Sequence, residues 1–380
     1  METILIVCQY RFPEGDAGSV RMYNFAKTLM SLGYRVLIIG MGPVRKGFQQ
    51  YKGIRYLSLR QTNPYNSYFG FSSRLIDLIK RLRKKWSLHT IILGTTSINV
   101  FTVLKKYCDR NDIVLIKDVV EWYSPSQFKW GRLSLSYFMK DIENRFIIDK
   151  TIRVISISTY LEKYFLNKQI HTERIPIYFD QSEYTKKKEE PVQSLNLLYA
   201  GFPSKQDNLY LPLKGLSLLD DQSLNRLHFV IIGVSLYRVK QLFSLQEETL
   251  KRIMPSLEIL GRVPRSVVLK NLLKSDFTVL LRDNQERYAQ AGFPSKVIES
   301  ISNSTPVIMN FSSDIGMYFT DNENCIKVKD YSEMAFADSL RRALLLTESE
   351  KKSMSRNAKE LAIRSFDKDS YIKQFEILLK

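Results

Sequence analysis

The stretch from Arg282 to Ile308 combines glycine, proline, serine and charged residues at a predicted junction of strand and helix. It reads RDNQERYAQAGFPSKVIESISNSTPVI. The apolar run Phe277–Leu281 predicts a strand before it, and a helix is expected to begin near Pro294, because proline is well suited to a first helical turn. The N-terminus of a helix attracts anions, so the Gly292–Ser295 turn is a predicted diphosphate site. Glu299, one turn further, either accepts hydrogen bonds from a ribose diol or is a solvated residue beside a structural loop.

Two other predicted loops place glycine and basic residues after strands. Arg11–Gly18 (RFPEGDAG) follows the first strand, and Arg21 lies one turn into the next helix. In the second half, Gly201 would let the backbone approach a ligand closely, and Lys205 is placed to hold a phosphate. The alternatives are a crossover loop with a solvated Arg21 and a Lys205 that simply lies on the surface.

The loops described above are held in place by predicted strands and helices. Short apolar runs, which predict strands, alternate along the chain with patterns of helical spacing. Gly18–Leu32 has apolar residues at helical spacing and ends at Gly33. Continuous apolar runs suit parallel strands that are buried on both faces, so the alternation predicts a doubly wound α/β fold. Ligands of such folds bind beyond the carboxyl ends of the strands. The predicted strands of the first half are Thr3–Val7, Arg35–Ile39, Ile54–Leu59, Thr90–Leu93, Ile113–Ile116 and Arg153–Ile157.

The alternation pauses at Thr185–Ser194, TKKKEEPVQS, and then restarts. We interpret this charge run as the linker between two α/β domains of similar size, residues 1–184 and 185–365; a surface loop within one domain is the alternative. The tail Lys351–Lys380 predicts two helices with a break near Ser365–Asp369. The predicted strands of the second half are Leu195–Tyr199, His228–Ile232, Leu257–Leu260, Phe277–Leu281, Pro306–Met309 and Cys325–Val328.

The composition narrows the class of protein. The chain has 380 residues, 44% hydrophobic and 25% charged, which indicates a globular protein. A net charge of +18 implies an anionic partner: nucleic acid, an anionic membrane surface or a phosphorylated ligand. Three scattered cysteines and three scattered histidines form neither a disulfide framework nor a zinc pattern, and they favour a reducing cytoplasm. The apolar start predicts a strand and not a signal peptide, and no run approaches the ~18 apolar residues of a spanning helix.

Ser73–Trp86, SRLIDLIKRLRKKW, predicts a basic amphipathic helix. Its apolar residues share one helical face: Leu75, Ile79, Leu82 and Trp86. A helix of this kind can lie on anionic lipid, so Arg81, Lys84 and Lys85 are expected to contact a membrane surface. The alternative is an ordinary packed helix whose apolar stripe meets the sheet. The two interpretations are compatible if the apolar stripe faces inward and the basic face outward.

The chain resembles, over nearly its whole length, the nucleotide-sugar-dependent retaining glycosyltransferases of GT-B fold, family 4, also called glycosyl transferases group 1. The N-terminal mark is Gly18 with Arg21 ahead of the first helix. The C-terminal mark is Glu299 with the following STPVI, which match the second of two family glutamates and the turn and strand after it. Ala291 stands where the family has its first glutamate, so this chain lacks a carboxylate at that position. Features similar to a bacterial polysaccharide-transferase subgroup are AGFPSK, Asp118–Tyr123, and Arg282 with Tyr288.

The resemblance implies two Rossmann-like domains that face each other across a cleft, with a C-terminal helix of about residues 366–380 packing back onto the first domain. It implies transfer of a sugar from a nucleoside diphosphate to an acceptor hydroxyl with retained configuration. Cations and helix N-termini would stabilise the leaving diphosphate, so neither a cofactor nor a metal is expected.

The resemblance also implies roles for individual residues. Asp118 and Glu121 would face the sugar and acceptor, where they orient hydroxyls or accept a proton. Val263 lies where such proteins hold the base through backbone contacts. The expected catalytic residues are Asp118, Glu121, Lys205 and Arg282. The expected donor-binding residues are Gly18, Arg21, Gly201, Val263, Gly292, Phe293, Pro294, Ser295, Lys296 and Glu299.

The predicted function is therefore a cytoplasmic glycosyltransferase, peripheral on the inner face of the plasma membrane, that acts on a glycan or lipid-linked acceptor in surface polysaccharide or glycolipid synthesis. A GT-B accessory protein without catalysis, suggested by Ala291, and a sugar-nucleotide epimerase are the alternatives. A nucleic-acid partner is not expected, because neither a recognised module nor aromatics interleaved with basic residues on a strand face occur in the sequence.

Overall fold

The structure is a computed structural model that describes residues 1–13, 17–44, 47–59, 64–184, 194–201, 207–243 and 246–380, except for the side chains of residues 64–71. The chain divides into two compact units. Unit 1 holds Met1–Asp180, Ala291–Phe293 and Asp367–Lys380, and unit 2 holds Gln181–Gln290 and Pro294–Phe366. The expected linker lies outside the described residues, apart from Ser194 at its end.

Unit 1 is built on a sheet that has eight strands among the described residues. They are β1 (Thr3–Arg11), β2 (Arg35–Met41), β3 (Gln49–Tyr51), β4 (Ile54–Leu59), β5 (Leu88–Leu93), β6 (Val114–Val119), β7 (Arg153–Ser156) and β8 (Thr172–Arg174). The order is β3-β4-β2-β1-β5-β6-β7-β8, and every pair is parallel except β3 with β4. The strand order reverses between β1 and β5, which is the switch point where doubly wound sheets bind ligands.

Helices connect these parallel strands. They are α1 (Ala17–Ser31), α2 (Pro64–Arg83), α3 (Ile98–Asp109), α4 (Leu135–Ile142) and α5 (Thr159–Asn167). The central strand β1 is buried along Ile4–Val7, as expected of a strand covered on both faces. Within the described part of the chain, no helix is long and apolar enough to cross a bilayer.

Unit 2 has a fully parallel sheet, with six strands in its described part. They are β9 (Leu195–Ala200), β10 (Leu227–Ile232), β11 (Leu257–Gly261), β12 (Phe277–Leu280), β13 (Val307–Asn310) and β14 (Cys325–Val328). The order β11-β10-β9-β12-β13-β14 is the 3-2-1-4-5-6 order of the Rossmann fold, with its switch point between β9 and β12. The helices are α6 (Tyr210–Leu216), α7 (Asp221–Asn225), α8 (Leu236–Leu242), α9 (Glu247–Ile253), α10 (Arg265–Lys274), α11 (Arg287–Ala291), α12 (Ser295–Ser302), α13 (Glu333–Leu345) and α14 (Glu348–Ser365).

The chain ends with a helix that packs in unit 1. After α14, a 3-10 turn (Lys368–Tyr371) leads into α15 (Ile372–Leu379). Tyr371 stacks on Tyr178 with 5.3 Å between ring centroids, and Phe375 meets Phe25 edge-on at 5.2 Å. The break between α14 and α15 falls where the sequence predicted it.

The predicted fold class, two doubly wound α/β domains, is confirmed. All predicted strands are present, with ends that differ by a few residues. The sequence analysis missed β3 and β8, because each has only three residues and a polar sequence, QQY or TER, at the edge of its sheet.

Candidate functional site

Two basic side chains meet a buried carboxylate at the carboxyl edge of the unit 2 sheet. Arg282 follows β12, and its Nε and Nη2 atoms both lie 3.0 Å from Oδ1 of Asp207. Nζ of Lys296, in the first turn of α12, lies 2.5 Å from Oδ2 of the same carboxylate. Hydrogen bonds in both directions with Asn310 fix the backbone of Arg282, at 2.9 and 2.7 Å. The structure thus brings two of the predicted ligand-binding residues together and adds Asp207, which the sequence analysis missed.

The electrostatics of this cluster favour an external anion. Burial by itself would raise the pKa of Asp207, but the charges of Arg282 and Lys296, with their hydrogen bonds, hold that pKa below its ordinary value. The carboxylate is therefore ionised at neutral pH. Two positive charges against one negative charge leave the cluster net positive, which suits the binding of a phosphate by charge-assisted hydrogen bonds.

Glycines allow the close packing around this cluster. Gly201 follows β9 with φ of +148°, and a Cβ on it would lie 2.3 Å from Nζ of Lys296. Gly233 follows β10 with φ of +96°, and its Cβ would lie 2.5 Å from the carbonyl oxygen of Gly201. Both φ values are strained for any other residue, and a side chain at Gly233 would also collide with backbone, whereas one at Gly201 would displace the end of Lys296. Sequence reasoning missed Gly233, although a glycine directly after a predicted strand was a usable signal.

The predicted diphosphate turn is only partly available to a ligand. α12 begins at Ser295 without a side-chain cap, close to the predicted start. The turn Gly292–Pro294 is buried, and within unit 1 the carbonyl of Ala291 accepts a hydrogen bond from Oγ of Ser158 at 2.7 Å. Ser295 and Lys296 are half-buried, so they are the members of this motif best placed to meet a ligand.

The predicted nucleoside-binding residues have protein contacts of their own. Oε1 of Glu299 accepts a hydrogen bond from Nη2 of Arg265 at 2.6 Å, and these side chains are 26% and 58% exposed. An exposed pair of this kind contributes at most about 1 kcal/mol, so Glu299 can change partner at small cost. Val263 packs beside Leu198 in a secondary apolar cluster, and its contact with a base stays a prediction. Lys205 lies outside the described residues.

Arg21 and Asp118 bind each other inside unit 1. The guanidinium and the carboxylate make three N–O contacts of 2.9, 2.9 and 3.2 Å. Further N–H groups of Arg21 donate to the carbonyls of Ile175 and Pro176 at 2.8 and 2.7 Å. Both charged side chains are at most 4% exposed. This geometry favours a structural pair, in place of the ligand-binding role expected for Arg21 and the catalytic role expected for Asp118.

The other predicted residues of unit 1 lie near its switch point. A Cβ on Gly18 would be 2.1 Å from the ring of Tyr10, so packing in unit 1 accounts for this glycine without a donor contact. The hydroxyl of Tyr10 donates to Thr95 at 2.6 Å. Glu121, after β6, is half-buried and accepts a hydrogen bond from Tyr123 at 2.6 Å. Burial raises the pKa of both tyrosines, which keeps their hydroxyls protonated as donors.

A buried group of charges in unit 1 was also missed. Lys117, on β6, is fully buried; its Nζ donates to the carbonyl of Gly94 at 2.8 Å and lies 3.6 Å from Glu143. Lys140 pairs with the same carboxylate at 2.9 Å. Burial lowers the pKa of Lys117, and Glu143 offsets only part of that effect. The available signal was a lysine directly after the apolar residues VLI of a predicted buried strand.

The predicted basic helix Ser73–Trp86 corresponds to the C-terminal part of α2, which ends earlier than predicted. α2 ends at Arg83, so Trp86 lies beyond the helix, where its ring is 5.3 Å from Phe48 and 5.7 Å from the guanidinium of Arg35. The apolar stripe is buried: Leu75, Ile79 and Leu82. Arg81, Lys84 and Lys85 are exposed, and their contact with a membrane stays a prediction.

Comparisons with known proteins agree with this architecture. Residues 180–361 match the family model described as Glycosyl transferases group 1. No curated protein matches the sequence significantly. Sucrose-phosphate synthase from Thermosynechococcus elongatus is similar in structure, with a TM-score of 0.76 and 13% identity over 100% of this chain and 98% of that chain. Anabaena HepE in complex with UDP and glucose has a TM-score of 0.70 and 13% identity over 100% and 99% of the two chains. WaaG, a glycosyltransferase involved in lipopolysaccharide biosynthesis, has a TM-score of 0.67 and 12% identity over 97% and 99%.

The three solved structures align with both sheets of this chain. The family model matches only the sheet of unit 2, together with Asp207, Arg282 and Lys296. At such low identity the structural likeness shows the fold alone. The chain therefore has the GT-B fold of two Rossmann-like α/β domains, and its residues 180–361 match the glycosyl transferases group 1 model.

Proposed function

We propose that this protein is a glycosyltransferase that moves a sugar from a nucleoside-diphosphate sugar to a glycan or lipid-linked acceptor. The proposed transfer retains the anomeric configuration and serves the synthesis of a surface polysaccharide or glycolipid. The observation that carries the proposal is the cluster of Arg282, Lys296 and Asp207, which leaves a net positive charge at the carboxyl edge of the domain matched by the family. A cytoplasmic location, where such donors are made, agrees with three buried free cysteines.

In the proposed mechanism, Arg282 and Lys296 hold the diphosphate of the donor. As the bond between the sugar and the diphosphate breaks, negative charge develops on the leaving group, and fixed cations stabilise this charge. The N-terminus of α12 at Ser295 adds main-chain N–H groups, and Lys205 adds a further cation. The scheme uses the cations of the protein and includes neither a metal ion nor a cofactor.

The remaining groups position the nucleoside and the acceptor. Glu299 exchanges Arg265 for the ribose diol, and the backbone at Val263 contacts the base. Glu121, with Tyr123 as its hydrogen-bond donor, orients the acceptor hydroxyl or accepts its proton. The structure of HepE with UDP and glucose supports testing uridine donors first.

Binding of UDP-, GDP- and ADP-linked sugars, measured by titration calorimetry and thermal shift, tests the donor site. A donor at 100 times its Kd adds about 2.7 kcal/mol of stability. Arg282→Ala, Lys296→Ala and Glu299→Ala should each weaken binding about tenfold or more, because a charge-assisted contact contributes about 1.5–3 kcal/mol. Lys240→Ala, which removes an exposed lysine on α8, is the control. Unchanged donor affinity in the three site variants would overturn the assignment.

A non-catalytic accessory protein is the second candidate, because the position of the first family glutamate is a fully buried alanine, Ala291. Product analysis separates the two. Donor binding with transfer to a hydroxyl acceptor supports the enzyme, whereas tight donor binding without turnover, across lipid-linked and glycan acceptors, supports the accessory protein.

A further inference from the structure

The segment between β6 and β7 exposes large apolar side chains. Between residues 130 and 146, five of them are 55% to 86% exposed: Trp130, Leu133, Leu135, Phe138 and Phe146. We call these five residues the apolar face. Single exposed apolar residues are common on proteins, but five large ones within 17 residues of sequence favour an interaction surface.

The helix in this segment exposes apolar side chains and buries a charged one, which is the reverse of the usual arrangement. α4 places Leu135 and Phe138, three residues apart, on its exposed side. Its opposite side turns Lys140 inward, where the buried lysine pairs with Glu143 in the π-helical turn that follows. A surface helix in water normally buries its apolar side and exposes its charges. The reversal in α4 therefore indicates that an apolar medium covers the apolar face.

Charge around the apolar face favours an anionic occupant. Lys129 and Arg132 flank Trp130, and both are exposed. The acidic residues of this segment are already engaged: Asp141 pairs with Arg145 at 2.6 Å and Glu143 with buried Lys140. Among the described residues, the unpaired exposed charge beside the apolar face is thus positive, in a chain of net charge +18.

These features match the interface of an anionic bilayer better than a protein partner. An exposed tryptophan suits the headgroup level, and aliphatic and phenylalanine side chains suit the acyl boundary below it. Basic residues beside them gain from the surface potential of anionic lipid. α4 has eight residues and a length of about 12 Å, far less than the ~30 Å of a hydrocarbon core, so it can only lie in the plane of the interface.

We propose that the apolar face docks unit 1 on an anionic lipid bilayer. The docking surface differs from the basic surface of α2, where Leu75, Ile79 and Leu82 are buried and Trp86 contacts Phe48. This proposal does not depend on donor binding or on sugar transfer, because it rests on exposure, helix polarity and charge.

Vesicle sedimentation without any donor tests the proposal. Vesicles of phosphatidylglycerol and phosphatidylcholine should bind the protein, and binding should weaken at least tenfold in pure phosphatidylcholine or at high salt. Serine in place of four residues of the apolar face, Trp130→Ser, Leu133→Ser, Leu135→Ser and Phe138→Ser, should weaken binding to the anionic vesicles at least tenfold. The matched control makes four serine changes at similarly exposed apolar residues of unit 2: Met317→Ser, Met334→Ser, Leu345→Ser and Ile363→Ser.

Three further measurements keep the test decisive. With brominated anionic lipid, quenching of tryptophan fluorescence should be strong in the parent and largely lost in Trp130→Phe. This measurement does not depend on whether the serine variant folds. Vesicle binding that survives the serine changes but disappears in Arg81→Glu/Lys84→Glu/Lys85→Glu would overturn the proposal and favour the α2 surface. A dimer in sedimentation velocity that the serine changes dissociate, without lipid binding by the parent, would show that a second copy covers the face.

Discussion

Replacing Asp207 by asparagine removes the carboxylate that Arg282 and Lys296 both contact, and it should destabilise unit 2. The change keeps the shape of the side chain but leaves two cations facing each other. Loss of one partner from a fully buried ion pair costs about 3–5 kcal/mol. The side chain of Lys296 is 33% exposed and that of Arg282 is 13% exposed, so water screens part of the effect. We expect a loss of about 2–3 kcal/mol at pH 7.

The destabilisation should depend on pH in one direction. The pKa of Asp207 is lower in the folded protein than its unfolded value of about 3.9, so the unfolded chain binds the proton more readily. The stability contributed by this carboxylate is therefore fully present well above pH 4 and is lost as pH falls through the folded pKa. The difference between parent and Asp207→Asn should be the same at pH 7 and pH 6, and it should shrink below about pH 4.

Urea unfolding can report on each unit separately. The three tryptophans, Trp86, Trp122 and Trp130, all lie in unit 1, so fluorescence follows unit 1, and the remaining far-UV circular dichroism change follows unit 2. The control is Glu248→Gln, which breaks an exposed ion pair with Lys251 and should cost less than about 0.5 kcal/mol. If Asp207→Asn costs no more than this control, or if its effect is unchanged at acid pH, the buried-pair reasoning is wrong.

Three further changes probe the described contacts. Gly201→Ala would place a methyl group against Nζ of Lys296 at a strained φ, so we expect about 1–3 kcal/mol of lost stability and about tenfold weaker donor binding, measured by thermal shift and calorimetry. Arg21→Lys loses the bidentate contact with Asp118 and should cost about 1–3 kcal/mol in urea unfolding with donor affinity unchanged; a large loss of affinity would restore a binding role. Phe375→Ala should cost about 3–5 kcal/mol in the fluorescence transition of unit 1 while the circular dichroism transition of unit 2 stays in place.

Some contacts were beyond the reach of the sequence because their partners lie far apart in the chain. Arg21 and Asp118 are 97 residues apart, and Asp207 is 75 residues from Arg282. Residue types marked Arg21 and Arg282 as candidates and the family resemblance marked Asp118, but neither tells whether a charge meets a ligand or another side chain. Folding decides this, because a buried charge must be paired and the nearest opposite charge is set by the sheet order.

The sequence by itself determined the strands and their alternation with helices. Runs such as ILIV in β1 are apolar on both faces, which fits strands covered by helices on both sides, and Pro294 indicated the start of α12. Tertiary structure alone decided which charges are neutralised and which apolar side chains stay exposed. α4 shows this most clearly: its residues have ordinary helical spacing, and only its packing, with Lys140 inward and Phe138 outward, reveals the reversed face. Spacing fixes which residues share a face, whereas the surrounding elements fix which face is covered.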